Sequence, residues 1–386
     1  MLRSLRATSG LIVLASATTF NNTHGSPQSD FRSVCDNVEK KRVVIIGGGT
    51  AGVGVSSQLI NEGVVDVTVI EPSPFHYYQP LWTLVGAGLK KKEESMIAMN
   101  KMIGKKVNLM PHAVKRIKPE TNEVELENGT LVSYDYLVVA AGIQTNWNAI
   151  PGLKESLGKD KSGVVSIYDY EHCEKTWESF ENFKGGRALF TVPNTPIKCA
   201  GAPQKIMWLF EEYCCTKKIR EKSSIEFFTS GSTIFGVKKY AEMLEKLRVQ
   251  RDVEVYYQKE LIKINPKLRV ATFRSMIDGT ISNEQFDLLH VTPPMSSPDF
   301  IKNSVLSDGT GFVDVHKHTL QSVKYKNIFA LGDCSNTPNS KTAAAIMAQA
   351  PVVVYNLQRE MKGLELDGTY NGYGSCPLMV GTSSSE

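Results

Sequence analysis

The segment that most constrains the fold is Lys41-Arg42-Val43-Val44-Ile45-Ile46, which runs directly into Gly47-Gly48-Gly49-Thr50-Ala51-Gly52. Four consecutive β-branched residues predict a strand buried on both faces. The GxGxxG turn behind them predicts the N-terminus of a helix reaching about Asn61 and closed by Gly63. A second strand, Val65 to Ile70, then ends at Glu71, 19 residues beyond Gly52. Strand, glycine turn, helix, strand and acid in this order are the context that a dinucleotide-binding motif requires. In that reading Gly47 makes the tight turn, Gly49 lets the backbone approach a pyrophosphate, and Gly52 lets the helix pack on the strand. The helix N-terminus supplies partial positive charge, and Glu71 receives an adenosine ribose. The motif alone does not separate FAD from NAD.

Two later segments bear on that choice. Tyr134 to Gly142 follows an Asn128-Gly129-Thr130 hairpin turn and reads as a buried strand ending in small residues. Asn327 to Asp333 is a short apolar strand ending in glycine and an acid. Behind the first motif, these match the two further fingerprints of flavoproteins with two dinucleotide-binding domains, and favour FAD. A strand over Arg187 to Val192 would open the second domain, but Pro193 to Pro203 follows, with prolines at 193, 196 and 203 and a cysteine where a glycine cradle would be needed. A nicotinamide cofactor has no evident seat there. The fold class is therefore α/β, with two Rossmann-like domains of the FAD/NAD(P)-binding type and a short C-terminal segment. The expected division is 37–150 plus 290–345 for the FAD-binding domain, 151–289 for the second, and 346–386 for the C-terminal segment.

Cys199 sits beside Lys198 and just ahead of a helix opening at Pro203 and reaching about Tyr213. A cation and a helix N-terminus both favour a thiolate. The residues alone leave two readings open, a redox thiol or a small buried hydrophobe. The seven cysteines are too few and too irregular for a disulfide scaffold. Cys214 and Cys215 fall late in the same helix and carry no assigned role, and Cys334 reads as a small residue. His316 and His318, the one close histidine pair, would share one face if they lay on a strand, and two ligands close no metal site. No metal is expected. A net charge of +4 gives no case for nucleic acid, and no apolar run approaches a membrane-spanning length. Residues 1–36 read as a leader and linker: Arg3, Arg6, many Ser and Thr, and no acid before Asp30 suit a mitochondrial presequence better than a secretory signal.

Beyond these features the chain resembles the mitochondrial type of sulfide:quinone oxidoreductase. The resemblance runs from about residue 41 to 381. It is carried by Glu71-Pro72-Ser73, His76 to Pro80, Thr83 to Gly88, Pro193 to Met207, Phe235 to Ala241, His290 to Met295, Gly332-Asp333-Cys334, Ser340 to Ala345 and Tyr373 to Leu378. It implies that Cys199 and Cys376 form a redox pair on the flavin, joined by a disulfide or by a bridge with extra sulfur. Hydrogen sulfide would attack it, leaving a persulfide on Cys376 and a thiolate on Cys199. Electrons would pass through FAD to ubiquinone, and the sulfane sulfur to glutathione, sulfite or a second sulfide. FAD contacts carried over are Gly49, Glu71, Gln79, Val114, Asp333 and Lys341, of which Lys341 otherwise reads as a solvated charge, and Lys341 to Ala345 reads as the start of a helix. Family members continue past the second cysteine into amphipathic membrane-surface helices, whereas ten residues follow Cys376 here. The expectation is a matrix-side protein held peripherally and weakly at the inner membrane. The alternatives are an NADH:quinone oxidoreductase, a sulfide dehydrogenase reducing a cytochrome, and a sulfide-responsive flavoprotein without quinone turnover.

Overall fold

The computed structural model describes residues 40–62 and 65–382, so the expected leader at 1–36 lies outside the described residues. Apolar strands that cannot tolerate water on either face stack into a first parallel sheet. Its order is Ile328–Ala330, Tyr136–Val139, Lys41–Ile46, Val65–Ile70, Asn108–Met110. The central strand pairs Lys41 to Ile46 with Val65 to Ile70 on one side and Val43 to Ile46 with Tyr136 to Val139 on the other. Val43 to Ile46 are at most 3% exposed, as a strand covered on both faces requires. The Thr50–Glu62 helix packs against a long helix, Ala343–Met361, where Gly54 faces Ala350. An antiparallel sheet of Val114–Lys118, Glu123–Leu126 and Leu131–Ser133 contributes Ile117, Val124 and Leu126 to the same core.

The second sheet is also parallel, in the order Val164–Val165, Leu288–His290, Gly186–Val192, Ser223–Thr229, Val253–Tyr256. The Ala202–Thr216 helix lies over it and buries an aromatic cluster, with Phe210 4.6 Å from Phe180 and 5.5 Å from Phe190 between ring centroids. A three-stranded antiparallel sheet, Lys259–Asn265, Val270–Ser275 and Ile281–Gln285, caps it through Phe273, 4.1 Å from Phe228. The chain crosses between the two sheets twice, and the crossings pair as antiparallel strands, Gln144–Thr145 with Met295–Ser296.

Two local expectations shift. The strand expected over Tyr134 to Gly142 is confined to Tyr136–Val139. The helix expected at Lys341 starts at Ala343, because the Thr342 hydroxyl caps it by accepting from the Ala345 N–H at 3.2 Å. His316 and His318 lie in a turn, not on a strand: His316 Nδ1 accepts from the Thr319 N–H, and His318 bonds the Tyr370 carbonyl. Among the described residues no helix is long and apolar enough to cross a membrane, and no group of three or more His, Cys, Asp or Glu could hold a metal.

Candidate active site

The glycine turn does what its residues permit. A Cβ on Gly47, whose φ is 104°, would lie 2.5 Å from the Ala140 carbonyl oxygen, and one on Gly52 only 1.8 Å from that of Gly47. These two glycines are required by the packing of helix on sheet. Gly49 differs, since a Cβ there would meet no atom within 4 Å. The turn therefore presents bare backbone and the unpaired N–H groups of a helix start to open space, which is what a pyrophosphate needs. Glu71 stands at its rim, accepting from the Gly48 N–H at 2.7 Å and the Ser73 N–H at 2.8 Å. His76, buried beside it, lies 3.1 Å from the Gly48 carbonyl.

The third fingerprint closes on the same place. Gly332, in the left-handed region at φ 72°, packs against Ala51 and Ile346 and donates its N–H to Gln349 at 2.8 Å. Asp333 follows, half-buried; burial pushes its carboxyl up, opposed by the Lys341 and Lys198 ammoniums. Lys341 Nζ donates to the backbone oxygens of Asp333 at 2.8 Å and Ser335 at 3.0 Å and stands 4.2 Å from the Phe312 ring centroid. It is not a solvated charge; burial lowers its pKa, and the Asp333 carboxylate supports its cationic form. Gly142, also left-handed, opens onto space as Gly49 does. This donor set fits a dinucleotide flavin: an open cradle at a helix start, an acid just past the C-terminal end of each of two parallel strands, and a half-buried cation beside the second acid. Gln79 is exposed at the start of a short turn, and Val114 opens a strand lining a groove with Pro298 and Phe300.

The loop after Val192 carries no second glycine cradle. Thr195 Oγ1 accepts from the Met295 N–H at 3.0 Å, tying the loop to the crossing strand. Lys198 forms a parallel bridge with Lys341. Cys199 is pinned in the left-handed region at φ 53°, where an L-residue is strained by about 1 kcal/mol. It is held there by its N–H donating to the Lys341 carbonyl at 2.8 Å and its carbonyl accepting from Ala202 at 2.9 Å. Cys199 is thus fastened to the lysine that also braces Asp333.

Cys376 arrives from the C-terminal segment and its thiol donates to the Cys199 sulfur. Room for it is provided by Gly201, where a Cβ would lie 3.0 Å from Cys376 Sγ. The bond from Cys376, opposed by burial and aided by Lys205 Nζ at 3.5 Å, lowers Cys199 to about 6, while Cys376 is driven up. Lys205 was missed by sequence reasoning, which credited Lys198. The adjacent lysine turns instead onto the Trp82 ring, 4.9 Å from its centroid, and burial lowers its own pKa to about 8. Lys205 sits in the first turn of the Ala202–Thr216 helix, whose side chains lean back toward its N-terminus, and that lean was the available signal. Burial pushes the other enclosed thiols up instead, Cys173 and Cys214 to about 12 and Cys334 to about 11. Chemically, the site can exchange sulfur at Cys376 and leave an electron pair on a stabilised Cys199.

Residues 41–178 match the family model described as pyridine nucleotide-disulphide oxidoreductase. The chain is 45% identical over 348 residues to the mitochondrial sulfide:quinone oxidoreductase of Dictyostelium discoideum, covering 89% of this chain and 76% of that one. It is 42% identical over 349 residues to the mitochondrial sulfide:quinone oxidoreductase of Mus musculus, covering 90% and 77%. The solved sulfide:quinone oxidoreductase of Aquifex aeolicus superposes with a TM-score of 0.72 at 21% identity, covering 84% of this chain and 77% of that one. The chain is a member of the sulfide:quinone oxidoreductase family, an FAD-dependent oxidoreductase.

Proposed function

We propose that this enzyme oxidises hydrogen sulfide at the Cys199–Cys376 pair and delivers the electrons through FAD to ubiquinone. The observation that carries the reading is the meeting of two thiols, distant in sequence, with Cys199 fastened to the lysine that braces Asp333. From the oxidised pair, hydrosulfide attacks the Cys376 sulfur. The S–S bond breaks, a persulfide forms on Cys376, and the bonding electrons leave on Cys199. The more acidic thiol is the better leaving group. Transfer of the outer sulfur to glutathione, sulfite or a second sulfide returns Cys376 as a thiolate. Re-forming the S–S bond then releases two electrons. FAD, when bound, supplies the two-electron sink that connects this step to quinone. Gly47, Gly49, Gly52 and Glu71 would hold the nucleotide end, and Asp333 and Lys341 the flavin end, with Gln79 and Val114 as further contacts.

The assignment divides the chain into an FAD-binding domain over 37–150 and 290–345, a second domain over 151–289 carrying Cys199, and a segment over 346–386 carrying Cys376. The proposed location is the matrix side of the mitochondrial inner membrane, held peripherally. The test is sulfide-dependent reduction of decylubiquinone by the FAD-loaded chain, with Cys199→Ser and Cys376→Ser as controls. Wild type turns over, and either serine abolishes bleaching of the flavin by sulfide. Bleaching by NADH without sulfide, direct reduction of a cytochrome without quinone, or bleaching never reversed by any acceptor would each replace this reading with one of its competitors.

A further inference from the structure

Cys376 is carried by a stretch with neither helix nor strand, so its position depends on what ties that stretch down. Ahead of it, Gly368 exchanges two bonds with the Asn356 side chain at 2.9 and 3.0 Å, and the Tyr370 N–H donates to the His318 carbonyl at 2.8 Å. Those ties belong to the half of the molecule built on the first sheet. Behind it the ties change sides. Arg251 Nη1 donates to the Val380 carbonyl at 2.6 Å, and Glu212 accepts from the Thr382 N–H and hydroxyl at 2.9 Å each. Leu378 and Val380 pack onto the core of the second sheet. The sulfur is therefore suspended between the two halves. Val380 is four positions further on, and four extended residues span at most about 14 Å, so little slack can absorb a loosened anchor.

The anchors on the second side converge on one helix. Arg251 pairs with Glu211 at 3.1 Å, and Glu211 and Glu212 are neighbours on the Ala202–Thr216 helix whose first turn holds Lys205 against Cys199. One element thus fixes a partner of the first thiol and the tether of the second. We infer that Arg251 and Glu212 are positioning residues that clamp the tail so that the Cys376 thiol meets Cys199; neither touches sulfur. This rests on the reading that the two thiols work as a redox pair.

The test compares the FAD-loaded full chain with Glu212→Ala, Arg251→Met and Arg251→Lys. Two rates are followed: disulfide formation between Cys199 and Cys376 under diamide, and alkylation of Cys199 across pH. Glu212→Ala and Arg251→Met are expected to slow disulfide formation at least tenfold. Both should raise the alkylation midpoint by a unit or more, with flavin content and Tm of Glu212→Ala unchanged. Arg251→Lys, which keeps a donor for the carbonyl and a cation for Glu211, restores most of the rate. If Arg251→Met fails to fold because Glu211 is left buried without its closest partner, Glu212→Ala decides alone. Wild-type rates and midpoints in the variants that fold would overturn the clamp. Failure of the redox reading looks different: the wild-type disulfide forms normally, yet Cys376→Ser still bleaches its flavin with sulfide.

Discussion

A thiolate forms at neutral pH only where neighbouring groups stabilise the anion more than burial penalises it. At Cys199 the hydrogen bond from Cys376 and the Lys205 ammonium outweigh desolvation, and the thiol falls to about 6. Alkylation of Cys199 by iodoacetamide is therefore expected to rise with pH through a midpoint near 6 and then level off. Lys205→Met should move that midpoint up, whereas Lys198→Met should leave it in place, because Lys198 faces Trp82. Thiol titration followed by peptide mass spectrometry separates the two lysines. Gly201 makes a different kind of contribution, since its φ of −87° would admit any residue and only space demands glycine. Gly201→Ala should preserve the fold while displacing Cys376, lowering sulfide-dependent turnover at least tenfold with flavin content retained.

At the scale of the element, the first motif contains glycines of two kinds. Gly52→Ala places a methyl inside the Gly47 carbonyl and should cost several kcal/mol, of the order seen for severe overpacking. Gly49→Val faces empty space, so the apo protein should melt as wild type while its FAD affinity collapses. Thermal unfolding with and without added FAD distinguishes these outcomes. These elements were legible because all their determinants lie within some thirty consecutive residues. The start of the long helix was not read to the residue, because Lys341 and Thr342 are both acceptable entries. The choice fell to the hydroxyl that caps Ala345. The turn that holds His316 and His318 is not legible locally, because the Tyr370 contact that shapes it comes from a distant segment.

For the whole molecule, the acid limit of stability should depend on His290. It is fully buried, its Nε2 accepts from the Ile167 N–H at 3.3 Å, and desolvation pushes it down to about 3. Unfolded imidazole takes up a proton below about 6.5, while the folded one stays neutral until about 3. Stability is thus intact above 6.5 and lost as pH falls toward 3, by about 1.4 kcal/mol per unit. Urea unfolding at pH 7 and pH 4.5 should show a smaller loss in His290→Gln than in wild type. The sequence by itself determined the parallel α/β architecture, the nucleotide cradle and its acid, and the missing second cradle. Each is written in periodicity and spacing over a few turns of chain. Which cysteines meet was decided by the tertiary structure, since Cys199 and Cys376 are brought together by sheets, crossings and a tethered tail that no local pattern encodes. The same holds for the lysine that serves the thiol. Acidity depends on which charges lie within a few ångströms, and proximity in the folded chain is not proximity along it.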